Sequence, residues 1–278
     1  MAGMVFLIGS GIFSAAESAA ADDFVVQPIL TRFARTETKN RFDTWFSLFR
    51  DVELQEADNF DGWTVGVDVT VPLTFAKGLQ LYFNAPLHTE GSLVPAETGQ
   101  KSDVHGKGGV FDFPSAQLEW QFMTQEEHGW NVAVRAGAGY AFATLENDGI
   151  ADIYNHSGAS VLGGLKFDRM INNWLTMAVD LGVNYYFRSD DLNPSGGGDA
   201  FAMCTSSMAA VFDPWKHTLY PALEVVYFGN FGDFNSVKLV PELIWRACEG
   251  FQLKAAFVWG LTNDGEDYGA EFMASFRF

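Results

Sequence analysis

Residues 268–278 read YGAEFMASFRF. Tyr268, Ala270, Phe272, Ala274, Phe276 and Phe278 fall on one face, and Glu271, Ser275 and Arg277 on the other. Alternation at a period of two marks a strand with one apolar and one polar face. The apolar face here is largely aromatic, and the strand closes on Phe278. An apolar strand left with an unpaired edge invites aggregation, so it must find a partner before it is safe.

The same pattern repeats upstream. Trp63 to Val71 alternate with Thr64, Gly66, Asp68 and Thr70, and Leu79 to Leu87 with Gln80, Tyr82 and Asn84. Ala116, Leu118, Trp120 and Phe122 oppose Gln117, Glu119 and Gln121; Val132, Val134 and Ala136 oppose Asn131 and Arg135. Ala159, Val161 and Leu165 oppose His156, Ser160 and Lys166, and the apolar face of 175–187 opposes Thr176, Asp180 and Asn184. Glu224 stands against Leu223 and Val225; Lys238, Glu242 and Arg246 against Leu239, Leu243 and Trp245; Gln252 and Lys254 against Phe251, Leu253 and Phe257. Residues 201–212 are apolar on both faces, and residues 41–54 fit either a strand or an amphipathic helix.

Counted together these give about twelve strands of roughly the 9–11 residues that a tilted strand needs to cross a bilayer. The links alternate in length. Short ones fall at 76–78, 125–129, 168–173, 213–217 and 248–250, and longer ones at 88–110, 144–154, 188–200, 229–236 and 262–267. A transmembrane barrel has short periplasmic turns and long external loops, whereas a soluble sandwich has no reason to sort its loops by parity. The expected fold is therefore all-β: an antiparallel up-and-down transmembrane barrel. The wide aromatic face then meets lipid. The polar face lines the lumen with Asp68, Glu119, Asp180, Glu224, Glu242 and Glu271 opposite Arg135, Lys166, Lys238, Arg246, Lys254 and Arg277. Six acids against six bases suggest pairing across a narrow bore rather than an anion or cation filter.

Composition agrees. The 278 residues are 48% apolar and only 19% charged, and their formal charge is −18. Nothing basic is available for nucleic acid. Beyond the leader no apolar run approaches the roughly 20 residues of a spanning helix. Sixteen of the acids sit in six expected external loops against Lys101, Lys107 and Arg188, which puts the acidity on the outer rim. Residues 1–21 resemble a secretory signal peptide, with Ala19, Ala20 and Ala21 before Asp22. Residues 22–41 are expected to form a periplasmic or plug-like segment, and 42–278 the barrel.

Other chemistry is poorly supported by the residues. A lipid-facing Ser–His hydrolase needs both groups on one face within hydrogen-bond reach. His156 and Ser157 are adjacent and point apart, and Ser160 lies about 13 Å along the strand from His156. No His or Cys spacing matches a metal site, and the acidic loops at 146–148, 189–191 and 263–267 read as solvated turns or as points of divalent bridging to lipopolysaccharide. No cofactor is expected. Cys204 and Cys248 fall at opposite ends of the barrel, too far apart for the roughly 7 Å that a disulfide allows. Trp63, Trp120, Trp130, Trp174, Trp245 and Trp259 lie near strand ends, as interfacial anchors should.

Several stretches together resemble a family of outer-membrane transporters named for phenol meta-cleavage pathway operons. They are GLQLYFNAPL (78–87), GVFDFPSAQLEWQF (109–122), NNWLTMAVDLGVNYYF (172–187), LEVVYF (223–228) and WGLTNDGEDYGAEFMASFRF (259–278). The C-terminal strand also resembles the last strand of bacterial outer-membrane proteins. That resemblance implies recognition of Phe276 and Phe278 by the barrel-assembly machinery. The family resemblance implies a passive channel, not an enzyme, in the Gram-negative outer membrane, passing apolar or aromatic small molecules. A structural or adhesive barrel with a charge-plugged lumen and acidic external loops is the alternative.

Overall fold

The computed structural model describes residues 26–54, 57–95, 101–107, 114–147, 150–187, 200–215, 218–232 and 234–278. The signal-peptide segment 1–21, residues 22–25 of the expected plug, and the loop acids Glu56, Glu97, Asp148, Asp190, Asp191, Asp199 and Asp233 lie outside them.

The strands are β1 (Arg41–Leu54), β2 (Ala57–Pro72), β3 (Leu79–Pro95), β4 (Ser102–Lys107), β5 (Ser115–Met123), β6 (Asn131–Asn147), β7 (Ile150–Asn172), β8 (Leu175–Tyr186), β9 (Phe201–Phe212), β10 (Leu219–Gly229), β11 (Asn235–Cys248), β12 (Phe251–Gly260) and β13 (Tyr268–Arg277). Every neighbouring pair is antiparallel, and β1 pairs with both β2 and β13, which closes the sheet. Both β4 and β5 sit between β3 and β6, so they share one place in the ring. The result is a closed barrel of twelve strand positions. Closure leaves no edge, as a strand wall in hydrocarbon requires.

The ambiguous segment 41–54 is a strand. Arg41, Asp43, Trp45, Ser47 and Phe49 are buried, whereas Phe42, Thr44, Phe46 and Leu48 are not. Two expected long loops are largely strand: β3 runs on to Pro95 and β4 returns beside it, while β6 and β7 continue to Asn147 and from Ile150. The first expected loop is shortened in the same way, since β2 starts at Ala57. Outside the bilayer a strand has no need of an apolar outer face, so the alternation fades while the ladder persists. On the other side, β7 extends to Asn172 and carries Asp168 inside the wall, not in a turn. The link 125–129 is one helical turn, α1 (Gln125–His128), closed by Gly129 at φ 79°.

The outer wall is apolar: Phe272 is 50% exposed and Trp259 57%, in a chain whose inward Lys166 is 1% exposed and Glu224 0%. A soluble barrel would invert that order. Exposed tryptophans form a band at one depth, with a single tryptophan and a tyrosine at the other. Trp120, Trp130, Trp174, Trp215 and Trp245 stand near the short turns, and Trp259 beside Tyr268 near the long links. Free Cys204 pairs in register with Gly229 toward the long-link end, and free Cys248 sits at the turn before Phe251 at the other.

Candidate functional site

Residues 26–40 form no strand, and they lie inside the barrel. Such a segment carries backbone N–H groups with no ladder to join, and each must find an acceptor. The wall supplies them. Glu242 Oε2 accepts from Ile29 N at 3.1 Å, and the two Glu224 oxygens accept from Leu30 N at 3.3 Å and Thr31 N at 2.5 Å. Asp168 Oδ2 accepts from Ala34 N at 2.7 Å and Arg35 N at 3.0 Å, while its Oδ1 takes Arg35 Nε at 2.9 Å. Gln121 Oε1 and Gln80 Oε1 accept from Thr36 N and Glu37 N. At the root, Glu37 receives Arg41 Nη1 at 3.1 Å and lies 3.7 Å from Arg277 Nε, and Arg277 also bonds Thr38.

Apolar contacts follow the same path. Phe33 is 2% exposed and packs with Ala178, Val211, Tyr220, Ala222 and Ile244; Val26 lies against this group. Ile29 and Leu30 pack on Val240, Ala256 and Val258. These inward apolar residues explain why 201–212 is apolar on both faces: outside it meets lipid, and inside Val211 meets Phe33. Burying a phenyl ring of this size contributes roughly 1.5–3 kcal/mol. Val26 and Asn40 both lie toward the short turns, and 29–31 reach in between, so the segment is a loop inserted from the short-turn end.

The twelve predicted lumen residues have several different roles. Lys166 is paired with Glu119, which also accepts from Gln80 Nε2 at 2.6 Å, and Arg135 Nη2 stands 2.9 Å from Asp180 Oδ1. The remainder depart from the expected six-against-six pairing. Asp68 meets Arg32 of the inserted loop, not a strand base, and accepts from Trp45 Nε1, Tyr82 Oη and Asn84 Nδ2. Glu224 and Glu242 take backbone N–H groups of the loop; Lys254 Nζ donates to Pro28 O at 3.4 Å. Lys238 pairs at 2.6 Å with Glu266, which the sequence placed in an external loop and which is buried. Arg277 faces Glu37 and Glu271 lines the cavity described next, while Arg246 is half-buried near a short turn. Sequence reasoning missed Arg32, Arg35, Arg41, Asp43 and Asp168. The available signal was an inward acid or amide with no base opposite it.

Above the inserted loop, toward the long links, lies a cavity of about 350 Å³. Its floor is Ile29, Leu30 and Arg32, and Phe234, Gly265 and Glu266 stand at its mouth. The Arg32 guanidinium lies 3.7 Å over the Tyr82 ring and 3.2 Å from Thr70 Oγ1, so the floor is fastened to β2 and β3. Gly66 makes room for the Trp45 ring that bonds Asp68, since a Cβ there would collide with that ring. Gly164 and Gly182 make room for Arg135, whose guanidinium lies 2.7 and 2.5 Å respectively from the positions their Cβ atoms would take. Among the described residues no cluster of three or more His, Cys, Asp and Glu is arranged to hold a metal ion.

No protein-family model and no curated protein sequence matches the chain. Its fold is matched by solved structures. The COG4313 outer-membrane channel of Pseudomonas putida F1 aligns with a TM-score of 0.58 over 92% of this chain and 100% of that one, at 10% identity. The transport unit of the autotransporter AIDA-I from Escherichia coli gives 0.54 over 87% and 90%, also at 10% identity. The β domain of the Bordetella autotransporter BrkA gives 0.51 over 87% and 99%, at 16% identity. The architecture is shared and the sequences are far apart. With its closed strand ring, apolar outer wall and polar interior, the chain has the fold of a bacterial outer-membrane β-barrel.

Proposed function

We propose that the barrel is a channel for passive passage of small molecules across the outer membrane, closed at its short-turn end by residues 26–40. The observation that carries this reading is a cavity on the long-link side of the lumen whose floor is an inserted loop and not a strand. A purely structural barrel needs no cavity. Twelve strands enclose a bore that side chains alone do not fill. The lumen residues Asp68, Arg135, Asp180, Lys238 and Glu271 then line the path above the loop, and Glu224, Glu242 and Lys254 hold the loop itself.

Residues 1–21 fit this reading as the export signal, and Phe276 and Phe278 as the features met by the assembly machinery. Both aromatic rings are exposed, Phe276 on β13 and Phe278 just past its end. The acidic long links face lipopolysaccharide. The similarity to autotransporter barrels favours a second reading, in which the lumen passes a polypeptide and not a solute. The two differ in a swelling assay with liposomes. A chain lacking residues 26–38 is expected to admit uncharged solutes in order of size, and the intact chain far less. Equal and negligible rates for both, from correctly folded protein, would leave the solute-channel reading without support.

A further inference from the structure

We infer that the cavity above the inserted loop is a binding site for a neutral polyhydroxylated ring compound, a mono- or disaccharide in size and chemistry. The inference rests on the channel reading for its purpose, and on the cavity walls for its content.

The two halves of the ring differ. Strands β5 to β9 present Ser115, Gln117, Ser160, Asn184, Thr205 and Ser207 to the cavity. Strands β10 to β13 and β1, with the link after β10, present Tyr227, Phe228, Phe234, Met273, Trp45 and Phe49. The first side is therefore richer in neutral hydrogen-bonding groups, with Arg135, Asp180 and Tyr186 among them, and the second is richer in aromatic rings, with Ser47, Ser236, Lys238 and Glu271 among them. Hydroxyls and amides donate and accept at once, which suits a ligand carrying many hydroxyl groups. Aromatic faces suit the C–H side of a sugar ring. Of the charges that share the site, Arg135 with Asp180, Arg32 with Asp68 and Lys238 with Glu266 are bound to an opposite charge of the protein, and Glu271, which also lines it, has an interaction of its own within the protein. That disfavours an organic ion.

Unmet hydrogen-bonding capacity points the same way. Gln117 is 7% exposed and Ser236 2%, and among the described residues Gln117 Oε1, Ser236 Oγ and Arg135 Nε have no hydrogen-bond partner. All three residues line the cavity. Buried polar atoms are ordinarily paired, and three together at one cavity await a partner. A compound with a single hydroxyl satisfies too few of them. A volume of about 350 Å³ lies at the lower end of the roughly 300–1,000 Å³ typical of small-molecule sites, room for one or two sugar rings.

Calorimetric titration of the intact, detergent-folded chain with maltose, phenol and benzoate tests this. Maltose is expected to bind one to one and more tightly than either comparator. Gln117→Leu removes the unpaired Oε1 together with the 3.3 Å bond from Nε2 to Ser115 Oγ, so with folding checked by heat-modifiable migration it is expected to weaken maltose at least tenfold. Phe228→Leu is expected to weaken it similarly. Absence of maltose binding, binding of phenol or benzoate at least as tight, or unaltered maltose affinity in both variants would each overturn the assignment. Binding is read here without flux. A solute-channel reading that fails in liposomes leaves this result standing, and the converse holds.

Discussion

At the scale of single residues, the inside of the barrel is governed by what buried charges can find. Lys166 and Glu119 are each at most 2% exposed and rely on one another. Breaking such a pair from one side leaves an uncompensated charge, at a cost of about 3–5 kcal/mol. Lys166→Met is expected to destabilise the folded barrel by that order in urea titrations from vesicles, and Glu119→Leu added to it should restore most of the loss. Failure of the second change to compensate would mean that the pair is not the unit. Asp168 is a different case, because it accepts three bonds from the inserted loop. Asp168→Asn keeps the shape and removes the charge. With the Arg35 side chain 31% exposed, the loss at the loop is modest, about 1–2 kcal/mol, and it should appear as roughly tenfold more frequent channel opening. The sequence showed the charged positions but not their partners. Alternation tells which face Glu224 is on. It says nothing of a backbone N–H arriving from nearly two hundred residues away.

At the scale of elements, the strands were legible and the inserted loop only in outline. Period two survives wherever one face meets lipid and the other does not, and so β8, β12 and β13 can be read directly from the chain. It fails where a strand rises out of the membrane, as along β4 and the ends of β6 and β7, because neither face is then required to be apolar. It also fails where the inner face is apolar, as in β9, whose Val211 packs on Phe33. Residues 26–40 have no period at all, since their conformation is imposed by acceptors on six different strands and one turn. Phe33 is the loop's main apolar anchor. Phe33→Ala is expected to weaken closure by about 3 kcal/mol, in line with other large-to-small core changes. The readout is access of a small water-soluble thiol reagent to a cysteine introduced at Thr31, buried in the intact protein, in a background with Cys204 and Cys248 changed to serine. Unchanged protection in the Phe33→Ala chain would show that the polar contacts alone retain the loop.

At the scale of the whole molecule, charge and hydropathy sort by depth and by side. The lipid-facing wall explains the high phenylalanine content and the low charged fraction. The acid excess is only partly a property of the outer rim, because Asp43, Asp168, Glu37 and Glu266 are buried inside. Inside, the extra acids are matched by Arg32, Arg35 and Arg41 and by the backbone of residues 29–35. The barrel and residues 26–40 therefore form one electrostatic unit. Its consequence for function is read most directly by single-channel conductance in planar bilayers, comparing the intact chain with one lacking residues 26–38, both shown to be folded by heat-modifiable migration. The expected result is small or brief current from the intact chain and a large, steady conductance from the shortened one. Equal conductance from both, open or closed, would contradict closure of the lumen by the inserted loop.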